Sequence, residues 1–156
     1  METKRYLAAI LALVWMPTAL MAEEAMHHHA GMASGHHAAM GTDERVSLGL
    51  DEAAKQHQLA NMRSHLEALE SIIAALGAER FDDAAATARK RLGLTPEMQQ
   101  MCNMFSNAQF REAGFAFHRQ ADTMAEEVES HDISRSLAAL SRTTQHCTSC
   151  HAQFRQ

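Results

Sequence analysis

Proline, cysteine and aromatic residues are scarce in this chain, and each scarcity limits the kinds of structure that the chain can form. There are 2 prolines among 156 residues, and only Pro96 lies beyond residue 42, so little interrupts helices there. The 3 cysteines are few and odd in number, which argues against a disulfide framework. Aromatic residues make up 5%, and no useful run between Asp43 and Gln156 alternates apolar with polar residues, so strands are not expected.

The charge balance and the absent motifs exclude several functions. The formal net charge is −5 at pH 7 with His neutral, which disfavours nucleic acids and anionic membrane surfaces as partners. The sequence has no Gly-rich phosphate loop, no Ser-His-Asp set and no paired carboxylates typical of a catalytic pocket. We therefore do not expect an enzyme of these classes.

The first 22 residues have the parts of a secretory signal peptide. Lys4 and Arg5 begin it, residues 6–20 are apolar, and Leu20-Met21-Ala22 forms an acceptable cleavage site. The apolar stretch is short for a membrane span. We predict export to the periplasm and no stable membrane insertion after cleavage. An uncleaved membrane anchor is the alternative.

Residues 23–42 are rich in His and Met and have no apolar period. The segment contains His27, His28, His29, His36 and His37 together with Met26, Met32 and Met40. This composition predicts a flexible arm. Because imidazole and thioether groups suit copper, nickel and zinc, metal capture is a hypothesis for the arm. A solvated low-complexity leader is the alternative.

Residues 43–156 have the apolar period of helices, and we predict an all-α domain. Four helices are expected, at about residues 51–76, 82–92, 109–129 and 132–154, with Asp82 or Asp83 starting the second and Asp132 capping the fourth. A short helix with Thr95 as its N-cap is expected before the third. The first apolar stripe is Leu59, Met62, Leu66, Leu69, Ile73 and Leu76, the third is Phe110, Gly114, Phe117, Ala121, Met124 and Val128, and the last is Ile133, Leu137, Leu140, Thr144, Cys147, His151 and Phe154. Spacings of three and four residues are typical of helices that pack in a bundle.

The last predicted helix carries the motif Cys147-Thr148-Ser149-Cys150-His151. C-x-x-C-H is the attachment signature of c-type haem, in which two thiols bind the porphyrin and the imidazole binds the iron. A thioredoxin-type pair normally lies at a helix N terminus, whereas a long helical pattern precedes this motif. Zinc would need further ligands, and the sequence has no second C-x-x-C and no H-x-x-x-H. We predict one covalent haem held by Cys147, Cys150 and His151.

The residues around this motif resemble those of a known family. With Ala152-Gln153-Phe154-Arg155, the ending resembles that of class II c-type cytochromes, the cytochrome c′ family, and residues 81–85 are similar to that family's second-helix motif. The resemblance covers residues 51–155. It implies an antiparallel four-helix bundle with the haem attached near the C terminus.

The resemblance also implies where the sixth iron ligand comes from. In cytochromes c′ proper the position on the first helix is apolar and the iron is five-coordinate. In the low-spin relatives, which resemble this chain more, it is Met, and here it falls at or beside Met62. His65, one turn further on, is the alternative ligand, and a purely structural Met62 is another. His57 and His118 are expected at the rim of the apolar faces and are less well placed.

Three further residues are candidates for roles near the haem. Arg155 resembles the family's basic residue near the haem and is a candidate partner for a propionate. A solvated cation at the helix end is the alternative. Arg63 is a second propionate candidate. Cys102 is expected to be a buried apolar thiol, and a soft-metal site with its neighbouring methionines is less favoured.

The expected coordination determines the expected function. His/Met ligation leaves no open iron site and raises the reduction potential, so we expect a one-electron carrier that meets extracytoplasmic redox proteins. If Met62 does not bind iron, a five-coordinate binder of NO or CO, or a weak peroxidase, is the alternative. A haem protein that handles metals through residues 23–42 is a third hypothesis. The family resemblance also makes a homodimer a candidate oligomeric state.

Overall fold

The computed structural model describes residues 42–156. The predicted signal peptide and all but the last residue of the predicted arm lie outside the described residues. The described part is mostly helical with little strand, so the predicted all-α class is confirmed. Within residues 42–156, no helix combines the length and the apolar character needed to cross a membrane.

The chain forms helices near all the predicted positions. The helices are α1 (Glu52–Gly77), α2 (Phe81–Thr87), α3 (Pro96–Asn103), α4 (Ala108–Val128) and α5 (Ile133–Gln153), and α2 continues directly into a π-helical turn, Ala88–Leu92, called the π turn below. Two short strands, β1 (Val46–Ser47) and β2 (Phe154–Arg155), flank the helices.

Polar side chains begin four of the helices by binding an otherwise unpaired backbone N–H group of the first turn. The capping residues are Asp51 for α1, Thr95 for α3, Asn107 for α4 and Asp132 for α5. The predicted caps Thr95 and Asp132 are therefore confirmed. The prediction that Asp82 or Asp83 starts the second helix is wrong by one or two residues, because Phe81 is its first residue.

Small side chains dominate the packing between the helices. α4 packs along α5, and α1 packs on α2 and on the π turn, which also contact α4. The fully buried apolar residues are Ala68, Ile72, Ala84, Ala88, Leu92, Ala121, Met124, Ala125, Val128 and Ala139. Alanines allow the helices to approach closely without large aromatic groups.

The relative directions of the helices follow from which of their ends lie close together. Phe110 at the start of α4 contacts Phe154 after the end of α5, so these two helices are antiparallel. Gln58 lines one cavity with Phe154, whereas Ile73 lines another with Ile133. α1 therefore also runs antiparallel to α5. These two helices barely contact each other directly.

The predicted apolar stripes of the first and last helices are wrong in part. Leu66, Ile73, Ile133 and Leu137 were expected in the core, but they are between 43% and 66% exposed. Burial in α1 instead follows a rotated face, and its buried apolar residues are Ala68, Leu69, Ile72, Ala75 and Leu76. The reason is that α1 packs against α2 and the π turn, and not directly against α5.

The two short strands tie the segment before α1 to the end of α5. They pair in parallel, with Val46 opposite Phe154 and Ser47 opposite Arg155, and the Leu48 N–H donates to the Arg155 carbonyl over 2.9 Å. We call residues 43–48 the strap. No strand was predicted here, because a pair of two-residue strands leaves no alternating pattern in the sequence.

Candidate functional site

A cavity that opens to solvent lies between α1 and α5. Its lining is mostly apolar with a few converging polar groups, which is the usual form of a cofactor site. The predicted site residues Cys147, Cys150, His151, Met62 and Arg155 all line it. The structure thus brings the motif on α5 and the candidate ligand on α1 to opposite walls of one cavity.

The two motif thiols lie in the last turns of α5, where the apolar side of the helix faces the cavity. Cys147 packs against the core, and both Cys147 and Cys150 are partly buried. Burial raises the pKa of both thiols, and for Cys150 the neighbouring Cys147 raises it further. Thioredoxin-type pairs show the opposite shift, so the local electrostatics do not favour that alternative.

Among residues 42–156, no group of three or more His, Cys, Asp or Glu side chains is arranged to hold a metal ion. A zinc centre at Cys147 and Cys150 would need such a group. Covalent attachment of a porphyrin needs only the two thiols and leaves the adjacent His151 as an iron ligand. His151 is exposed and lies on the cavity lining.

The α1 wall presents four polar or thioether side chains, Gln58, Asn61, Met62 and His65. Gln58 and His65 are 5% and 8% exposed, and Met62 between them is half-buried. His118 was expected at the rim and is buried instead, and His65, the alternative ligand, is buried as well. His57 is exposed, as expected for a rim residue. The helical period alone could not show this, since the His65 ring contacts Phe117 and His118, which lie far along the sequence on α4.

The ring of His65 is held by two neighbouring rings of α4. Its centroid is 5.1 Å from that of Phe117 and 5.7 Å from that of His118. Burial lowers the pKa of His65 to about 4, with smaller contributions from His118 and Arg91, so the ring is neutral at pH 7. Its Nε2 is buried and has no hydrogen-bond partner within the described residues.

The π turn fixes the orientation of His118. His118 Nδ1 lies 2.7 Å from the Leu92 carbonyl oxygen. Because a carbonyl only accepts, Nδ1 must carry the proton and Nε2 is left as an acceptor. Burial lowers the pKa of His118. The second imidazole near His65 is therefore also neutral, with its tautomer set by the backbone.

Two guanidinium groups line the cavity, and one of them was not predicted. Arg155 lines it from β2, and Arg111 lines it from the first turn of α4. Arg111 Nη1 donates to the Phe105 carbonyl over 3.0 Å. Arg63 is exposed and is not part of the lining, so the structure does not place this candidate at the site. The only sequence signal for Arg111 was its position next to Phe110 on the α4 stripe.

α3 closes the cavity beside α4. A Cβ atom on Gly114 would lie 3.0 Å from Cys102 Sγ, so the close approach of α3 explains the glycine on the α4 stripe. Cys102 is buried, as expected, and burial raises its pKa. Asn61 Nδ2 donates to Met101 Sδ over 3.1 Å, which ties α3 to α1 beside Met62.

No family model, curated protein or solved structure matches this chain. Its function is therefore inferred from its own residues.

Proposed function

We propose that this chain is a periplasmic c-type cytochrome that carries single electrons between redox proteins. In this proposal the helices form an antiparallel four-helix bundle of the class II type, with one haem attached through Cys147 and Cys150. His151 is the iron ligand from the same helix. The observation that carries the proposal is that the attachment motif and the donor groups of α1 line one cavity from opposite sides.

The residues at the cavity fit a covalent haem in several ways. Both thiols are on the lining, the adjacent imidazole of His151 is beside them, and the walls between them are mostly apolar. Arg111 and Arg155 offer guanidinium groups that suit the two carboxylates of a haem. When bound, the haem supplies a one-electron redox centre. The protein would hold that centre in a mostly apolar cavity and would supply its ligands.

An electron carrier is favoured over a gas binder because α1 offers donors to the iron. Met62 and His65 both line the wall that faces the motif. An iron with two protein ligands can change oxidation state without binding a substrate. The family resemblance favours Met62 for this position, and the five-coordinate binder of NO or CO stays the alternative if neither donor reaches the iron.

Covalent attachment can be tested with the third cysteine as a matched control. The full chain should be exported by a host that attaches haem to C-x-x-C-H motifs, and the purified protein should be examined by intact mass and by haem staining after denaturation. We expect one haem per chain in the wild type and in Cys102→Ser. We expect its loss in the Cys147→Ser, Cys150→Ser double variant. A wild-type chain without covalent haem would contradict the proposal.

The choice between carrier and gas binder needs one further measurement on the same protein. The reduced wild-type protein should resist CO, and its optical spectrum should stay that of low-spin iron. Rapid CO binding by the wild type would favour the five-coordinate alternative. Low-spin iron that exchanges electrons reversibly would support the carrier.

A further inference from the structure

His65 lines the cavity from α1, and its ring is buried. The side chain is 8% exposed, and Nε2 has no hydrogen-bond partner within the described residues. A buried polar atom that stays unpaired destabilises a fold, so it calls for an explanation, and a bound ligand or cofactor is one. Because His65 lines the same cavity as His151, the group that it would serve lies between them.

Two ring contacts establish which residues face each other across the cavity. Phe110 of α4 contacts Phe154, with the centroids 5.3 Å apart. Phe117 lies two helical turns further along α4. Because α4 and α5 are antiparallel, the residue of α5 at the height of Phe117 lies two turns before Phe154, at Cys147. Phe117 contacts His65 at 5.1 Å, so His65 and Cys147 lie at about the same height.

The direction of helical side chains then favours His65 over Met62. His151 lies one turn beyond Cys147, about 6 Å along the axis at about 1.5 Å per residue. Side chains in a helix lean toward the N terminus of their own helix. Since α1 and α5 are antiparallel, His65 leans toward the height of His151, and His151 leans toward the height of His65. Met62 lies about one turn closer to the N terminus of α1, so its side chain leans away from the space between His65 and His151.

The chemical state of His65 also suits a metal ligand. The ring is a free base at neutral pH, so a ring nitrogen has a lone pair available. Phe117 and His118 hold the ring from α4, and His118 is itself fixed by the Leu92 carbonyl. A ligand whose ring is held before the metal binds loses little conformational freedom on binding.

We propose that His65, and not Met62, is the protein's second ligand for the haem iron, opposite His151. This inference rests on the proposed function, since it requires a haem attached through Cys147 and Cys150. It replaces the His/Met pair implied by the family resemblance with two imidazoles. The protein would then have a lower reduction potential than a His/Met cytochrome.

The wild-type protein with its haem tests the inference directly. The oxidised protein should be low-spin and should lack the near-infrared charge-transfer band of thioether-ligated iron. Met62→Leu should keep this spectrum and the reduction potential. His65→Ala should lose the low-spin signal and gain rapid CO binding, and His57→Ala, which changes an exposed histidine of the same helix, should behave as the wild type.

Each outcome separates the inference from the proposed function. If the wild type shows the thioether band, and Met62→Leu abolishes it, His65 is not the ligand, but the protein is still a cytochrome. If the wild type is high-spin, neither residue binds the iron and the inference fails. If no haem is attached, the proposed function fails and the inference with it. Should His65→Ala not fold, His65→Met is the second variant, and it should create the thioether band that the wild type lacks.

Discussion

Gly93 lies at a crowded corner where the π turn meets α4. A Cβ atom at this position would overlap the Asp122 carboxylate and would lie 2.5 Å from the Arg89 carbonyl oxygen. Asp122 Oδ2 accepts a hydrogen bond of 3.0 Å from the Leu94 N–H, so the carboxylate cannot move aside without losing that bond. The preceding residue, Leu92, supplies the carbonyl that orients His118. The glycine is thus required by packing, and its corner supports the buried imidazoles.

Replacing Gly93 by alanine should therefore destabilise the protein. We expect the free energy of unfolding to fall by about 1–3 kcal/mol, as is usual for an overpacked position. Gly77→Ala is the matched control, because a Cβ atom there meets nothing within 4 Å. That change should be neutral or should stabilise α1 by up to about 1 kcal/mol. Urea unfolding of both variants checks the pair, and equal effects would contradict the packing argument.

Some roles of single residues could be predicted from the sequence, and others could not. Cys147, Cys150 and His151 form a motif whose chemistry depends only on short spacing, so the sequence suffices to propose their role. The burial of His65 depends on contacts with Phe117 and His118 on a helix far along the sequence, and the expected rim position of His118 was wrong for the same reason. Arg111 carries no motif, and its place on the lining follows from the packing of α4.

The strap holds the last turn of α5 through hydrogen bonds between residues about a hundred positions apart in the sequence. Arg45 Nη1 donates to the His151 carbonyl over 3.2 Å, and the Arg45 guanidinium also binds Asp43, 2.8 Å away. Asp43 Oδ2 also lies 3.6 Å from Arg155 Nε. The bonds from Arg45 lower the pKa of Asp43 to about 2, so this carboxylate is charged at neutral pH. The helix end that carries His151 is thus fastened from outside the helix.

Loss of the strap contact should loosen the end of α5 selectively. We expect Arg45→Ala to accelerate amide hydrogen exchange several-fold in the last turn of α5, with little change in α4. Arg63→Ala removes an exposed cation of α1 and is the control. Mass-spectrometric exchange on peptides from both helices makes the comparison. Unchanged exchange in the last turn would show that the strap does not hold it.

The long helices were predictable because each one carries its period and its caps within its own segment. Thr95 and Asp132 predict helix starts regardless of how the rest of the chain folds. β1 and β2 were not predictable, because their pairing joins two-residue segments about a hundred positions apart. The π turn was also missed, since the bonds from Leu92 and Leu94 to α4 exist only after folding.

The stability of the whole fold should depend on its two buried histidines. Burial lowers the pKa of His65 from 6.5 to about 4, and it lowers the pKa of His118 as well. In the unfolded chain these rings take up protons near pH 6.5, whereas in the folded protein they do not. Folding is therefore favoured fully above that pH, and stability falls as the pH decreases from about 6.5 to about 4. Ligation of iron by His65 would change stability with pH in the same direction, because it also needs the unprotonated ring.

Acid should therefore destabilise the protein before its carboxylates titrate. We expect the free energy of unfolding to fall by up to about 3 kcal/mol for His65 alone between pH 7 and pH 4. In His65→Gln the fall should be smaller. His57→Gln, at an exposed position, is the control. Urea midpoints measured across this range give the comparison, and an equal slope in His65→Gln would contradict the argument.

The sequence by itself determined the helical class, most helix boundaries and the attachment motif, because these depend on residues within a few turns of each other. It also raised the hypotheses of an exported chain and of a metal-capturing arm, which concern residues outside the described part. Only the tertiary structure decided which faces of α1 and α5 are buried, that a cavity lies between them, and that His65 is enclosed there beside Met62. The physical reason is that burial and the pairing of polar atoms depend on neighbours supplied by distant segments, and a local period does not specify those neighbours.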